Sequence, residues 1–87
     1  MSKKIEIFTS PFCPYCHAAK RLLTSKGVPF EEVDVMMSPA KRDDMMKRTG
    51  GARSVPQIFA DGEHIGDCDG IHRLDSEGKL DALLGIG

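Results

Sequence analysis

Ile5-Glu6-Ile7-Phe8-Thr9-Ser10-Pro11-Phe12-Cys13-Pro14-Tyr15-Cys16-His17 decides how the rest of the chain is read. Its first half is apolar and β-favouring at Ile5, Ile7 and Phe8, which predicts a strand over Lys4 to Thr9. Ser10-Pro11-Phe12 is a turn. From Pro14 to Lys26 the pattern becomes helical: Ala18, Ala19, Leu22 and Leu23 fall on one apolar stripe, and Gly27 stands where a C-terminal cap belongs. Pro14 is tolerated in the first helical turn, where its missing N–H is not needed. A Cys-x-x-Cys pair is thus placed where a strand ends and an amphipathic helix begins.

Outward from that unit, Val28 to Val35 is expected to be a second strand. Ser38 and Pro39 open a second helix that runs to about Arg48. Met36, Met37, Met45 and Met46 are a Met-rich stretch, of which the last two read as core filling. Thr49-Gly50-Gly51-Ala52 is a loop. Pro56 to Ala60 and Glu63 to Gly66 are two more strands, joined by Asp61-Gly62, a strong hairpin signal. Asp69 onward is helical, in two pieces broken near Gly78. The order β-α-β-α-β-β-α predicts an α/β fold: a four-stranded mixed sheet covered by helices, as one domain over residues 1–87.

Composition fits this picture. The 87 residues are 40% hydrophobic and 29% charged, with a net charge of −1. A chain of that size supports its own core. The charge gives no reason to expect nucleic acid or an anionic membrane as partner. No apolar run approaches the roughly 20 residues of a membrane span. The segment after Met1-Ser2-Lys3-Lys4 is too short and too polar for a signal-peptide core, so a cytosolic location is expected. Three cysteines are an odd set, unlike a secreted disulfide framework. In a reducing compartment the close pair is catalytic or metal-binding before it is structural.

Disulfide exchange needs a thiolate. A free cysteine has a pKa of about 8.5, but a helix N-terminus offers unpaired N–H groups and a partial positive charge, and such sites bring it to roughly 3.5–7.5. The first cysteine, Cys13, is therefore expected exposed at the helix cap as the attacking thiol. Cys16, one turn inside, would resolve the mixed disulfide. Two metal-centred readings compete. Cys13-Pro14-Tyr15-Cys16-His17 also matches the covalent haem pattern, but that attachment goes with export and a helical wrap. Cys13, Cys16, Cys68 and His17 or His64 are enough ligands for zinc, yet a second close pair is missing and His64 reads as a solvent-facing hairpin residue. No resident metal is expected.

Three motifs, Cys13-Pro14-Tyr15-Cys16-His17, Ser54-Val55-Pro56-Gln57-Ile58-Phe59 and Gly66-Asp67-Cys68-Asp69-Gly70, resemble the glutaredoxin family. The likeness spans essentially the whole chain. The short bacterial dithiol type is most similar, helped by Lys41-Arg42-Asp43-Asp44-Met45. The resemblance implies a thioredoxin-like fold and glutathione as co-substrate, with no bound cofactor. It implies that Pro56 is a cis-proline and that glutathione lies antiparallel to Ser54-Val55 with its sulfur against Cys13. Tyr15 would flank the sulfur, and Arg42 would meet the glycine carboxylate. The N–H groups of Cys68 and Asp69 would hold the γ-glutamyl carboxylate, as helix N-termini hold anions. The Asp69 carboxylate would face the γ-glutamyl amine.

Further partners would be disulfide-containing or glutathionylated proteins, met by a monomer. Without the resemblance, Arg42 reads as a solvated charge and Cys68 as a small packed residue. Three positions depart from the family: Ser10 replaces a frequent lysine, Ser54 a threonine, and Asp67 a glycine. Asp67 brings a negative charge, or a helix cap, beside the anion site, and weaker glutathione binding is expected from it. The reading from another class is a carrier of a [2Fe–2S] cluster held by Cys13 and glutathione. Relatives specialised for that usually have one cysteine, in Cys-Gly-Phe-Ser.

Overall fold

A computed structural model describes residues 2–86. Its elements are β1 (Ile5–Thr9), α1 (Pro14–Ser25), β2 (Phe30–Asp34), α2 (Pro39–Thr49), β3 (Gln57–Ala60), β4 (Glu63–Gly66), α3 (Cys68–Ser76) and α4 (Leu80–Leu84). The four strands lie in the order β2-β1-β3-β4. β1 is parallel to β2 and antiparallel to β3, and β3 is antiparallel to β4. This is the mixed α/β sheet that the sequence predicts.

Side-chain alternation along the two central strands divides the core. Ile5, Ile7, Ile58 and Ala60 face Ala19 and Leu23 of α1, Ile71 of α3, and Leu80 and Leu84 of α4. Phe8 and Phe59 point to the other face, where they meet Val35 and Met45 of α2. Glu6 shares that second face. Its carboxylate takes a bond from Arg48 Nη2 at 2.9 Å, and the Arg48 guanidinium lies 4.1 Å from the Phe59 ring centre. The arginine holds the Glu6 carboxyl below its usual range, chiefly through that hydrogen bond.

Helix ends follow from local chemistry. Ser38 Oγ accepts the Lys41 N–H at 3.3 Å and Pro39 opens α2. At the end of α1, Gly27 has φ +70°. The Gly27 N–H reaches Thr24 O and the Val28 N–H reaches Leu23 O, a Schellman closure that buries Val28 on Leu23.

The first three strands are shorter than expected, while β4 has its expected range. Val28 and Val35 are buried but lie outside β2; Val28 belongs to the α1 closure, and Val35 sends its N–H to Thr9 O at 3.0 Å just past the strand end. The last helical stretch begins at Cys68, one residue before its expected start, because Asp67 supplies the cap. Among the described residues no helix is long and apolar enough to cross a membrane.

Candidate active site

The parallel strand β1 and the antiparallel strand β3 bring two loops to the same end of the sheet. One is Ser10–Cys13, leading into α1; the other is Ser54–Pro56, leading into β3. Cys13 is the N-cap of α1, in extended conformation, and its Sγ accepts the Cys16 N–H at 3.1 Å. A thiol sulfur thus stands where a Ser or Asp oxygen usually caps a helix. The Cys13 thiol also donates to Val55 O at 3.6 Å, across the two loops.

These contacts correct one expectation. Cys13 is only 8% exposed, not open to solvent. Capping geometry folds its sulfur back onto the helix and against the Val55 carbonyl.

Cys16 is fully buried. Burial first, and then its hydrogen bond with Cys13, push its thiol up to about 12, against a smaller opposing effect of the Ser10 backbone. At neutral pH Cys16 therefore keeps its proton. The two thiols of the pair are thereby made unequal: one lies at a helix N-terminus beside the Ser54–Pro56 loop, the other in the core as a held acid.

Beside Cys13 lies a cleft of about 300 Å³ lined by Tyr15, Ser54, Val55, Pro56, Asp67, Cys68 and Asp69. The Val55–Pro56 peptide is cis. Tyr15 is 64% exposed at the rim. The opposite wall is the start of α3, reached from β4 through Gly66 at φ +145°, a conformation that favours glycine. Asp67 Oδ1 accepts the Gly70 N–H at 2.7 Å, and the Ile71 N–H goes to Asp67 O. Cys68 and Asp69 form the first turn of α3, whose N–H groups have no preceding helical carbonyl to reach, and both residues line the cleft. The Cys68 thiol is pushed up by burial, then by Asp69 and Asp67.

Arg42 is the one expected contact outside this lining. Its Nη1 donates to Arg53 O at 2.9 Å, so it is anchored to the residue before Ser54 and is not a freely solvated charge. Lys20 is also tethered, to Glu32 at 3.0 Å. A larger groove of about 550 Å³ follows the outer side of α1 past His17, Lys20, Arg21, Thr24 and Ser25, but no thiol lines it. Among the described residues no three His, Cys, Asp or Glu side chains converge as metal ligands do.

Two polar residues have no part in the cleft as read from the sequence, where Gln57 is only part of a motif and His64 a solvent-facing hairpin residue. Gln57 is 3% exposed and His64 Nε2 lies 2.7 Å from its Oε1. Burial lowers the His64 pKa. The available signal was a single amide inside an otherwise apolar strand.

Residues 5–65 match the glutaredoxin family model. The chain is 54% identical over 80 residues to glutaredoxin 3 of Escherichia coli strain K12, covering 92% of this chain and 95% of that one. It is 43% identical over 81 residues to glutaredoxin 1 of Rickettsia conorii, covering 92% and 79%. Among solved structures it resembles the glutaredoxin of Brucella melitensis, at 44% identity and TM-score 0.82, covering 95% of this chain and 89% of that one. It also resembles a buckwheat glutaredoxin–glutathione complex, at 28% identity and TM-score 0.85, covering 95% and 77%.

Proposed function

Given that the chain belongs to the glutaredoxin family and is a glutathione-dependent thiol–disulfide oxidoreductase, we propose that Cys13 is its attacking thiol and Cys16 its resolving thiol. The observation that carries this assignment is the pairing of Cys13 Sγ with the α1 N-terminus at 3.1 Å, beside a Cys16 thiol pushed up to about 12. Cys13 attacks one sulfur of a protein disulfide. A Cys13–substrate disulfide forms, and the other substrate sulfur leaves as a thiolate. Cys16 then gives up its proton and attacks Cys13, which closes the internal disulfide and releases the second substrate thiol. Two glutathione molecules reset the pair: the first takes up Cys13 and frees Cys16, and the second attacks the bound glutathione sulfur. Two electrons pass from two thiols, and glutathione disulfide leaves. A protein–glutathione mixed disulfide needs only Cys13 and one further glutathione.

The cleft supports glutathione as the ligand. Its carboxylate-bearing γ-glutamyl end would meet the Cys68 and Asp69 N–H groups, where the helix end favours an anion. Its extended backbone would pair with Val55, with Ser54, Pro56 and Tyr15 lining the sulfur end. Asp67 and the Asp69 carboxylate face the same space, the latter towards the amine. Arg42, held on Arg53 O, would turn to the glycine carboxylate. We place the protein in the cytoplasm as a monomer acting on disulfide-containing or glutathionylated proteins. Cluster carriage is not favoured, since the second thiol is built into the core beside the first. The direct test is a coupled turnover assay: NADPH consumption is expected with glutathione and its reductase and not with thioredoxin reductase. The reverse preference overturns the assignment of glutathione.

A further inference from the structure

The cleft wall at Ser54–Val55 has no regular secondary structure, yet it must hold one backbone donor in place. What holds it is a side chain from β3. Gln57 Nε2 donates to Ser54 O at 3.0 Å, spanning the Val55–Pro56 turn. A carbonyl oxygen only accepts, so the nitrogen of the Gln57 amide must face Ser54. The amide oxygen then faces His64, and at 2.7 Å His64 Nε2 must be the donor. The tautomer and the amide orientation are fixed together by that one carbonyl.

The geometry points to Gln57 and His64 as positioning residues that aim the Val55 N–H into the glutathione cleft. Among the described residues the only cis bond is Val55–Pro56, so the Ser54–Val55 peptide is trans. In a trans peptide C=O and N–H point in opposite directions. With the Ser54 carbonyl drawn inward to a side chain that is 3% exposed, the Val55 N–H is turned outward, on the side that lines the cleft. His64, from the neighbouring strand β4, packs against Phe59 with ring centres 5.2 Å apart at a 41° tilt, and its bond to the far end of the amide holds Gln57 in this rotamer. An amide alone on a strand end would be free to hydrogen-bond elsewhere. Held at both ends it becomes a brace between the hairpin and the substrate loop. The role of the Val55 N–H rests on the proposed pairing with glutathione. The brace itself does not.

The test uses Gln57→Leu, which keeps volume and loses both bonds. It also uses His64→Phe, which keeps the ring on Phe59 and loses the donor, and His64→Gln, which restores an N–H donor. Each is measured with cysteine–glutathione mixed disulfide as substrate and by the Val55 amide resonance of the free protein. KM is expected to rise about two- to tenfold in Gln57→Leu, the range one net hydrogen bond supports, with kcat held within about twofold. His64→Phe should show a smaller rise that His64→Gln reverses. In both damaged variants the Val55 amide resonance should shift and its hydrogen exchange quicken.

A structural role alone would lower the melting temperature without this split between KM and kcat. Unmoved Val55 resonance and unchanged KM in a folded Gln57→Leu protein overturn the inference. Should Gln57→Leu not fold, the exposed His64 decides alone: no KM change in His64→Phe, or no rescue by His64→Gln, has the same consequence. If the wild-type protein fails to turn over the disulfide, the glutathione reading fails instead, and the Val55 amide still judges the brace.

Discussion

Two helices begin at the same cleft, and their caps are of opposite kinds. At α1 the capping atom is Cys13 Sγ, 3.1 Å from the Cys16 N–H. At α3 it is Asp67 Oδ1, 2.7 Å from the Gly70 N–H. Both satisfy a backbone donor that a helix start leaves orphaned. The carboxylate does it permanently, with a full charge and a short bond. The sulfur does it with a longer contact, and in the proposed assignment the same atom is the one that forms the disulfide. The difference teaches that a cap can be structural or reactive according to how tightly its atom is held. In the proposed function the start of α3 meets a ligand anion and the start of α1 a nucleophile, two uses of the same partial positive charge.

The comparison is broken most completely by Cys13→Ser. Serine caps a helix well, so the fold should survive, while turnover of every disulfide substrate falls to background in the glutathione-coupled assay. Residual turnover above a few per cent of wild type would remove Cys13 from the role of nucleophile. Next comes Cys16→Ser. Reduction of a protein disulfide is expected to collapse, while release of glutathione from a glutathionylated protein stays within a few-fold. Equal loss of both activities would mean that Cys16 does more than resolve.

At α3, Asp67→Gly removes a negative charge from the anion site. By Coulomb's law at bulk-water screening the gain is ~1 kcal/mol, about fivefold in glutathione affinity by titration calorimetry. Glycine is also an acceptable cap, so stability should drop by only a few tenths of a kcal/mol, against about 1 kcal/mol for Asp67→Ala. No gain in affinity sinks the view that Asp67 opposes the ligand.

The smallest effect is one of pH. The folded Cys16 thiol is raised from 9.0 to about 12, so its neutral form stabilises the fold fully below pH 9. That contribution is lost as pH climbs through the interval to 12, because the unfolded chain sheds the proton first. The melting temperature of the reduced protein should therefore decline more steeply between pH 9 and 11 than that of Cys16→Ser. Parallel curves would argue against a buried, proton-holding Cys16.

Much of this was legible in the sequence because it is local. The strand-turn-helix around Cys13, the Gly27 closure and the Asp61-Gly62 hairpin turn each depend on residues a few positions apart. At that hairpin both residues adopt the positive φ that the dipeptide predicts, 50° and 83°. The division of the core between sheet faces also follows from the alternation Ile7/Phe8 and Ile58/Phe59. What the sequence hid is long-range. The burial of Cys13 depends on Val55, 42 positions away. The anchoring of Arg42 depends on Arg53, and the pairing of Gln57 with His64 on the hairpin register. Such contacts have no periodic signature, and a charged or amide side chain looks solvated until its partner's position is known.

The central claim, that the sulfur at the α1 cap is the one that reacts, is tested most directly by trapping. The reduced Cys16→Ser protein is treated with one equivalent of glutathione disulfide, quenched with acid, and its peptides are mapped by mass. A single glutathione adduct on Cys13, with Cys68 left as a free thiol, is the predicted result. An adduct on Cys68, or one shared between Cys68 and Cys13, would contradict it.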